Sequence, residues 1–359
     1  MRLRACAPRT GAVAMVATAL RRVKEGGELV SSDAGRDGPL PRDAPMADLE
    51  ELLIRTSRTF ALSIPLLPEP TRREVTLAYL LFRSADTFED APGWQRGEKL
   101  AALERFGALL EEPAPGDTAA AAAAWCAAVP CAQPGYRELL AEVPYVLATF
   151  FALGPDAMAS IREHTRRTIA GMAGYVERSG DDGSLELVDL ADLRAYCYVV
   201  AGIVGELLTD LFLLGRPALQ PVAAALAARA PVFGEGLQLV NILKDAAADA
   251  AEGRRYLPAA VPRDDVMDLA RCDLAAAEAY VLDLQNAGAE RGLVAFNALP
   301  IHLAHATLDR VAAAGPGAKV SRREVFAIVE RLHGALDRGE PAVWQTVAGG
   351  LHELPRGTA

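Results

Sequence analysis

Tyr79, Arg83, Asp86 and Asp90 lie four, three and four residues apart in the segment TLAYLLFRSADTFED. On a helix of 3.6 residues per turn, that spacing puts all four on one narrow stripe, with Glu89 at its edge. Leu77, Leu80, Leu81, Phe82, Ala85 and Phe88 make most of the remaining circumference apolar. Such a helix is predicted to be largely buried, so its polar stripe cannot simply face bulk water. A second segment, GEGLQLVNILKDAAADAAEGRRYLP, repeats the design. Gln238, Asn241, Asp245 and Asp249 are three, four and four apart, among Leu237, Leu239, Val240, Ile242 and Leu243. Lys244 adjoins the first aspartate, and Arg254, Arg255 and Tyr256 close the segment before Pro258.

Buried carboxylates without partners are costly, so two such pairs call for compensating cations. Oxygen ligands at this spacing suit Mg²⁺, which takes one or two carboxylates and completes its shell with water and phosphate oxygens. A diphosphate held between the two helices through bridging Mg²⁺ would neutralise all parties. Arg83, Lys244 and Arg254 or Arg255 could then donate to the phosphates directly. The competing reading is plain, since an isolated Asp-x-x-x-Asp on a helix is commonly a solvated face. Spacing alone leaves both readings open.

The elements that must carry these stripes are helical. Alanine and leucine dominate the apolar residues, and no period-2 run of valine, isoleucine and threonine is long enough for a sheet. The chain therefore reads as all-α, a single-domain bundle. SIPLLPEPTRRE is predicted to turn into a helix that runs through Asp90, and APGWQRGE and EEPAPGDT are breaks. The alanine tract 119–124 reads as plain helix. Further helices are predicted over 136–152, 154–178, 189–214, 218–228, 231–251, 264–289, 291–314 and 321–335. No fixed-period repeat suggests a solenoid.

Residues 1–45, rich in Arg, Gly, Pro and Asp, read as a disordered extension upstream of a start at Met46. The helical domain is expected over 46–340, with a C-terminal tail over 341–359. The apolar stretch 11–20 is too short to span a bilayer. The run 198–214 is interrupted by Glu206 and Asp210, so no transmembrane helix is expected. A net charge of −10 supplies no general field for nucleic acid. The five cysteines (Cys6, Cys126, Cys131, Cys197 and Cys272) are scattered and read as unpaired thiols of a reducing cytoplasm. His302 and His305, on an apolar helix, read as core residues.

Read as strings, SRTFALSIPLLP followed by AYLLFRSADTFED resembles the opening of squalene and phytoene synthases. YCYVVAGIVGELLTDLF, LQLVNILKDAAADAAEGRRYLP and FNALPIHLAHATL resemble later segments of the same family, in the same order over roughly residues 55–310. The last is closer in look to squalene synthases. Two departures stand out. The second acidic motif is Asp-Ala-Ala-Ala-Asp, where many relatives carry an extra acid, and Lys244 stands where the family usually has Arg. Lysine keeps the charge but loses bidentate geometry.

The resemblance implies an isoprenoid-synthase-type bundle around an apolar cavity. It assigns Asp86, Asp90, Asp245 and Asp249 to Mg²⁺, with Glu89 behind them. It makes Arg83, Lys244 and Arg255 cation donors to diphosphate, and Tyr79 and Tyr196 candidates to steer a carbocation. Gln238 and Asn241 would orient phosphate and water, and Ser57, Arg58, Thr59, Phe60 and Tyr256 would contact substrate. Ala201, Gly202 and Gly205 would give room either to a prenyl chain or to close helix packing. The implied reaction joins two prenyl diphosphates head to head through a cyclopropylcarbinyl diphosphate. Hydride from NADPH would then give squalene, whereas proton loss would give dehydrosqualene or phytoene. No Gly-x-Gly-x-x-Gly follows a strand, so NADPH would not bind through a Rossmann unit. A head-to-tail elongating enzyme or cyclase would carry Asp-Asp-x-x-Asp as its metal motif, and neither acidic stripe of this chain has that form. A non-catalytic helical assembly factor with the same fold remains the reading from another class. The expected setting is cytoplasmic, without a transmembrane anchor, and with peripheral membrane contact for product release.

Overall fold

The computed structural model describes residues 46–57, 59–91, 93–128 and 134–344. The expected extension 1–45, with Cys6, lies outside the described residues, as do Arg58 and Cys131. The chain builds helices α1 (Met46–Thr56), α2 (Phe60–Ser63), α3 (Thr71–Glu89), α4 (Arg96–Leu109) and α5 (Asp117–Ala128). Then come α6 (Pro134–Ala141), α7 (Val143–Phe151), α8 (Pro155–Arg178), α9 (Leu190–Cys197) and α10 (Ile203–Leu213). The series ends with α11 (Ala223–Ala251), α12 (Arg263–Asn286), α13 (Arg291–Ala314) and α14 (Arg322–Asp337). Among the described residues the only strands are β1 (Leu185–Glu186) and β2 (Arg254–Arg255), which pair in parallel.

Three boundaries differ from the sequence reading, each for a physical reason. The segment 136–152 splits at Glu142, because Pro144 enters the first turn of α7 and cannot continue α6. The segment 189–214 is helical throughout, but Tyr198–Gly202 widens to a π-turn between α9 and α10. The predicted pair 218–228 and 231–251 is instead a 3₁₀ turn (Pro217–Val222) followed by one 29-residue helix that contains Pro231. Proline inside a helix removes a hydrogen bond and crowds the carbonyl four residues back. Tertiary packing holds α11 together there. A β-carbon on Gly205 would sit 2.0 Å from the Ala230 carbonyl oxygen, and one on Gly234 would sit 2.1 Å from that of Ala201. Backbone therefore meets backbone around Pro231, an approach only glycine permits.

Helix α11 is the central element, packed on α10, α12 and α13. Its apolar residues divide the interior. Phe233 belongs to the larger core with α3, α7 and α13, whereas Leu239, Val240, Ile242 and Leu243 belong to a second core with Leu193, Tyr196, Met267 and Leu274. Leu77, Leu80, Ala85 and Phe88 of α3 are fully buried. Each large apolar side chain so placed contributes about 1.5–3 kcal/mol. Leu190–Leu213 is the one stretch among the described residues long and apolar enough to cross a membrane by length and composition. Here it packs against α3, α8 and α11. Its polar residues have partners: Glu206 meets Arg167 at 2.8 Å, and Asp210 accepts from Ser160 Oγ at 3.2 Å.

At the other end, Ala342 and Val343 are buried. His302 Nε2 lies 2.9 Å from the Ala342 carbonyl oxygen, and its ring stacks on Trp344 at 3.5 Å. His305 Nε2 lies 2.8 Å from Glu278 Oε1. Both histidines are structural. Burial pushes His302 down to about 4, so it is neutral at ordinary pH.

Candidate active site

Part of each stripe faces one space, while Asp90, Asp245 and Asp249 lie off its lining. A cavity of about 240 Å³ is lined on the α3 side by Tyr79, Phe82, Arg83 and Asp86, and on the α11 side by Phe233, Leu237, Gln238 and Asn241. Phe60, Val200, Ala201 and Gly205 add apolar and small walls, so Gly205 serves both close packing and the cavity. Arg83, Asp86, Gln238 and Asn241 give the lining its polar groups from the two stripes, and most of the rest is hydrocarbon.

On α3 the stripe is already a network. Tyr79 Oη donates to the Thr56 carbonyl at 2.8 Å and accepts from Arg83 Nε at 3.2 Å. Arg83 Nη1 lies 3.1 Å from Asp86 Oδ2. Burial pushes Asp86 up to about 6, against the pull of Arg83 and with a further push from Asp90. The side chain keeps 32 % of its surface open. Asp86 lines the cavity. Glu89 is driven well above the usual range by burial first, then by Asp90 and Asp86. Lys99 Nζ donates to the Glu89 carbonyl at 2.6 Å and so caps the end of α3.

On α11, Lys244 Nζ lies 3.1 Å from Asp245 Oδ2 and 3.4 Å from Asn241 Oδ1. Burial raises Asp249 to about 6, while Arg254 pulls it back and Asp245 pushes it further. Arg254 joins the two stripes: its Nη1 lies 3.0 Å from Asp90 Oδ1, and it pairs with Glu252. Its Nε is buried without a partner.

The resemblance put Arg255 in the donor set; in the structure it is Arg254 that lies beside the stripe carboxylates. Successive residues of an extended strand face opposite ways. Gly253, at φ 83°, turns the chain out of α11 so that Arg254 faces the carboxylates while Arg255 is exposed. Tyr196 lies outside the cavity lining, stacked on Tyr256 at 4.7 Å and edge-on to Tyr175 at 5.0 Å. Its hydroxyl is held well above the usual range by burial first, with Glu89 next. Ser57 Oγ accepts from the Phe60 N–H at 2.9 Å, so it caps α2, and Thr59 is exposed. Of Ser57, Thr59 and Phe60, Phe60 lines the cavity, as does Ile64 further along the same segment. Lys99 and Tyr136 come to the stripe from α4 and α6 with no spacing signal of their own.

The site fits a shared cation better than an enclosed one. Among the described residues, no three His, Cys, Asp or Glu side chains converge as a metal cage. Paired aspartates one turn apart on α3 and on α11, with Asp86 and Asp249 raised by burial, suit an ion that takes one or two carboxylates and shares phosphate oxygens. The partnerless Arg254 Nε beside them suits an anion.

The chain is an all-α bundle with two acidic stripes, one of which places Asp86 on a largely apolar cavity. The sequence model of the squalene/phytoene synthase family matches residues 53–265, which include both stripes. The chain belongs to that family. The squalene synthase of Eremothecium gossypii is 31 % identical over 240 residues, 65 % of this chain and 51 % of that protein. The squalene synthase of Mycosarcoma maydis is 33 % identical over 223 residues, 61 % of this chain and 36 % of that protein. The chain thus spans about half the length, or less, of these curated relatives. A solved structure of TcSQS with a ligand superposes with a TM-score of 0.62 at 25 % identity, covering 82 % of this chain and 89 % of that one. A dehydrosqualene synthase structure shares the fold at 20 % identity and a TM-score of 0.50, over 81 % of this chain and 96 % of that one.

Proposed function

We propose that the chain condenses two farnesyl diphosphates head to head through a cyclopropylcarbinyl diphosphate and, with NADPH, releases squalene. The observation that carries this reading is one cavity whose lining joins Arg83, Asp86, Gln238 and Asn241 to a larger set of apolar residues. Asp86, Asp90, Asp245 and Asp249 would hold Mg²⁺, which when bound supplies charge neutralisation to a departing diphosphate. Arg83, Arg254 and Lys244 donate to the diphosphate oxygens. Gln238 and Asn241 orient the head group from the α11 wall. Phe60, Phe82, Val200 and Leu237 keep water from the prenyl chain, so that a carbocation meets the substrate's own double bond before it meets solvent.

Among the described residues no strand, glycine turn and helix unit offers a dinucleotide phosphate site. NADPH therefore rests on the likeness to squalene synthases alone.

The test is incubation of the full chain with farnesyl or geranylgeranyl diphosphate and Mg²⁺, with and without NADPH, followed by identification of the hydrocarbons. Squalene from the C15 substrate, dependent on NADPH and lost with chelator, is the expected outcome. Phytoene from the C20 substrate at much higher kcat/KM, indifferent to NADPH, would overturn the product but not the cavity. No hydrocarbon from either substrate would favour an assembly factor.

A further inference from the structure

The guanidinium of Arg83 is bracketed by two phenol rings from different helices. The ring centres of Tyr79 on α3 and Tyr136 on α6 each lie 5.6 Å from its central carbon. Tyr79 is tied down by its hydrogen bond to the end of α1. Tyr136 is set by a backbone approach, since a β-carbon on the preceding Gly135 would lie 2.6 Å from the Arg55 carbonyl oxygen. Two residues further on, Glu138 Oε2 takes Arg55 Nη1 at 2.6 Å. The start of α6 is thereby fixed against the end of α1, with its tyrosine directed at the stripe of α3.

We propose that Tyr136 is a positioning residue that holds Arg83 in place as a diphosphate donor, an inference that rests on the function proposed above. Without substrate, Arg83 is paired with Asp86 at 3.1 Å. Once a cation claims the Asp86 carboxylate, that pairing weakens, and an arginine stem alone has many rotamers. Two aromatic faces keep the guanidinium plane where it was, so the fork turns from carboxylate to phosphate without a search. Burial of the Tyr136 hydroxyl raises its pKa against the pull of Arg83, which keeps the phenol neutral beside the cation.

The probe is inorganic diphosphate with Mg²⁺, titrated calorimetrically into the full chain. Tyr136→Leu should weaken binding by about 5- to 30-fold, the equivalent of one desolvated cation–π contact. Tyr136→Phe, which keeps the ring, should stay within about threefold of wild type. The decisive measurement is the double mutant: in an Arg83→Ala background, Tyr136→Leu should have no further effect. A purely structural tyrosine would weaken binding equally in both backgrounds, and that additivity would overturn the proposal, as would wild-type binding by Tyr136→Leu. If the Leu variant misfolds, Tyr136→Met serves in its place. If Arg83→Ala itself binds diphosphate like wild type, the donor role of Arg83 fails, and the positioning role fails with it. A weakened Arg83→Ala without coupling to Tyr136 sinks the positioning role alone.

Discussion

Helix α11 carries acids on two faces, and the two faces have settled their charge in opposite ways. On the face away from the cavity, Glu235 is 6 % exposed and Asp273 of α12 is 5 % exposed. Arg194 of α9 forks onto Glu235, with Nε 2.7 Å from Oε1 and Nη2 3.2 Å from Oε2. Asp273 is pushed up to about 7 by burial first and by Glu235 next, with Arg194 opposing, and its Oδ2 has no partner. One acid is matched by a guanidinium and the other is eased by a proton. On the cavity face, Asp245 has only the short contact to the flexible Lys244, and Asp249 shares Arg254 with Asp90. Acids that already have their cation hold helices together, whereas acids left short of positive charge can recruit it from a ligand.

The largest effects should therefore fall on the cavity face and leave the fold alone. Asp245→Ala or Asp86→Ala should lower turnover by about a thousandfold or more, the equivalent of about 4 kcal/mol of lost charge neutralisation in the transition state. Circular dichroism should be unchanged, and so should Tm for Asp245→Ala; Asp86→Ala relieves a buried carboxylate but leaves Arg83 without its pair, so its Tm should shift little in either direction. Turnover near wild type in either variant would remove the metal assignment.

On the Glu235 side the order reverses, and stability suffers before chemistry. Arg194→Ala leaves Glu235 buried and unpaired. Loss of one partner from a fully buried pair costs about 3–5 kcal/mol. Arg194 is 46 % open to solvent, which reduces the expectation to about 1–3 kcal/mol. Urea unfolding reads this directly, and an unchanged midpoint would show that the fork contributes nothing. Asp273 adds a pH signature. Its folded pKa, about 7, lies above that of an unfolded aspartate, so the native state binds the extra proton between the two values. Its contribution is thus fully present below about pH 4, is lost as pH rises towards 7, and changes little beyond. Asp273→Asn should remove that slope from a plot of Tm against pH and leave the variant relatively more stable at pH 8. Parallel curves for wild type and variant would contradict a raised Asp273.

The two faces also mark what the sequence could and could not reveal. The cavity stripes were legible because helical period converts spacing into a shared face, and Tyr79, Arg83, Asp86, Gln238 and Asn241 do meet at one cavity. Glu235 and Asp273 were not, since each is a lone acid whose partner comes from another helix, and no local pattern announces such a contact. The same limit hid Tyr136 and Lys99. Arg254 and Arg255 were indistinguishable as neighbours in a string, and only the turn at Gly253 chose between them. Helix ends failed at prolines in both directions: the reading runs 136–152 through Pro144, where a new helix begins, and breaks before Pro231, which α11 carries with the glycine contacts of Gly205 and Gly234.

The smallest expected effect belongs to the cation that the cavity face does own. Lys244 is 27 % exposed and 3.1 Å from Asp245, and its second contact, to Asn241, is long at 3.4 Å. It is neither buried nor forked, so its removal leaves no orphaned charge of the kind Arg194 would leave. Lys244→Ala should leave Tm within about a degree, because partly exposed pairs contribute about 0–1 kcal/mol. It should still raise KM for the diphosphate substrate by about tenfold, the worth of one charge-assisted hydrogen bond of roughly 1.5 kcal/mol. Lys244→Arg should restore or improve on wild type, since a planar fork can serve a phosphate bidentately where an ammonium acts as a point charge. The pair of substitutions thus separates recruitment from scaffolding within a single side chain. If Lys244→Arg is as impaired as Lys244→Ala, the position matters for its packing and not for its charge, and the cavity face of α11 would then hold no cation intended for substrate.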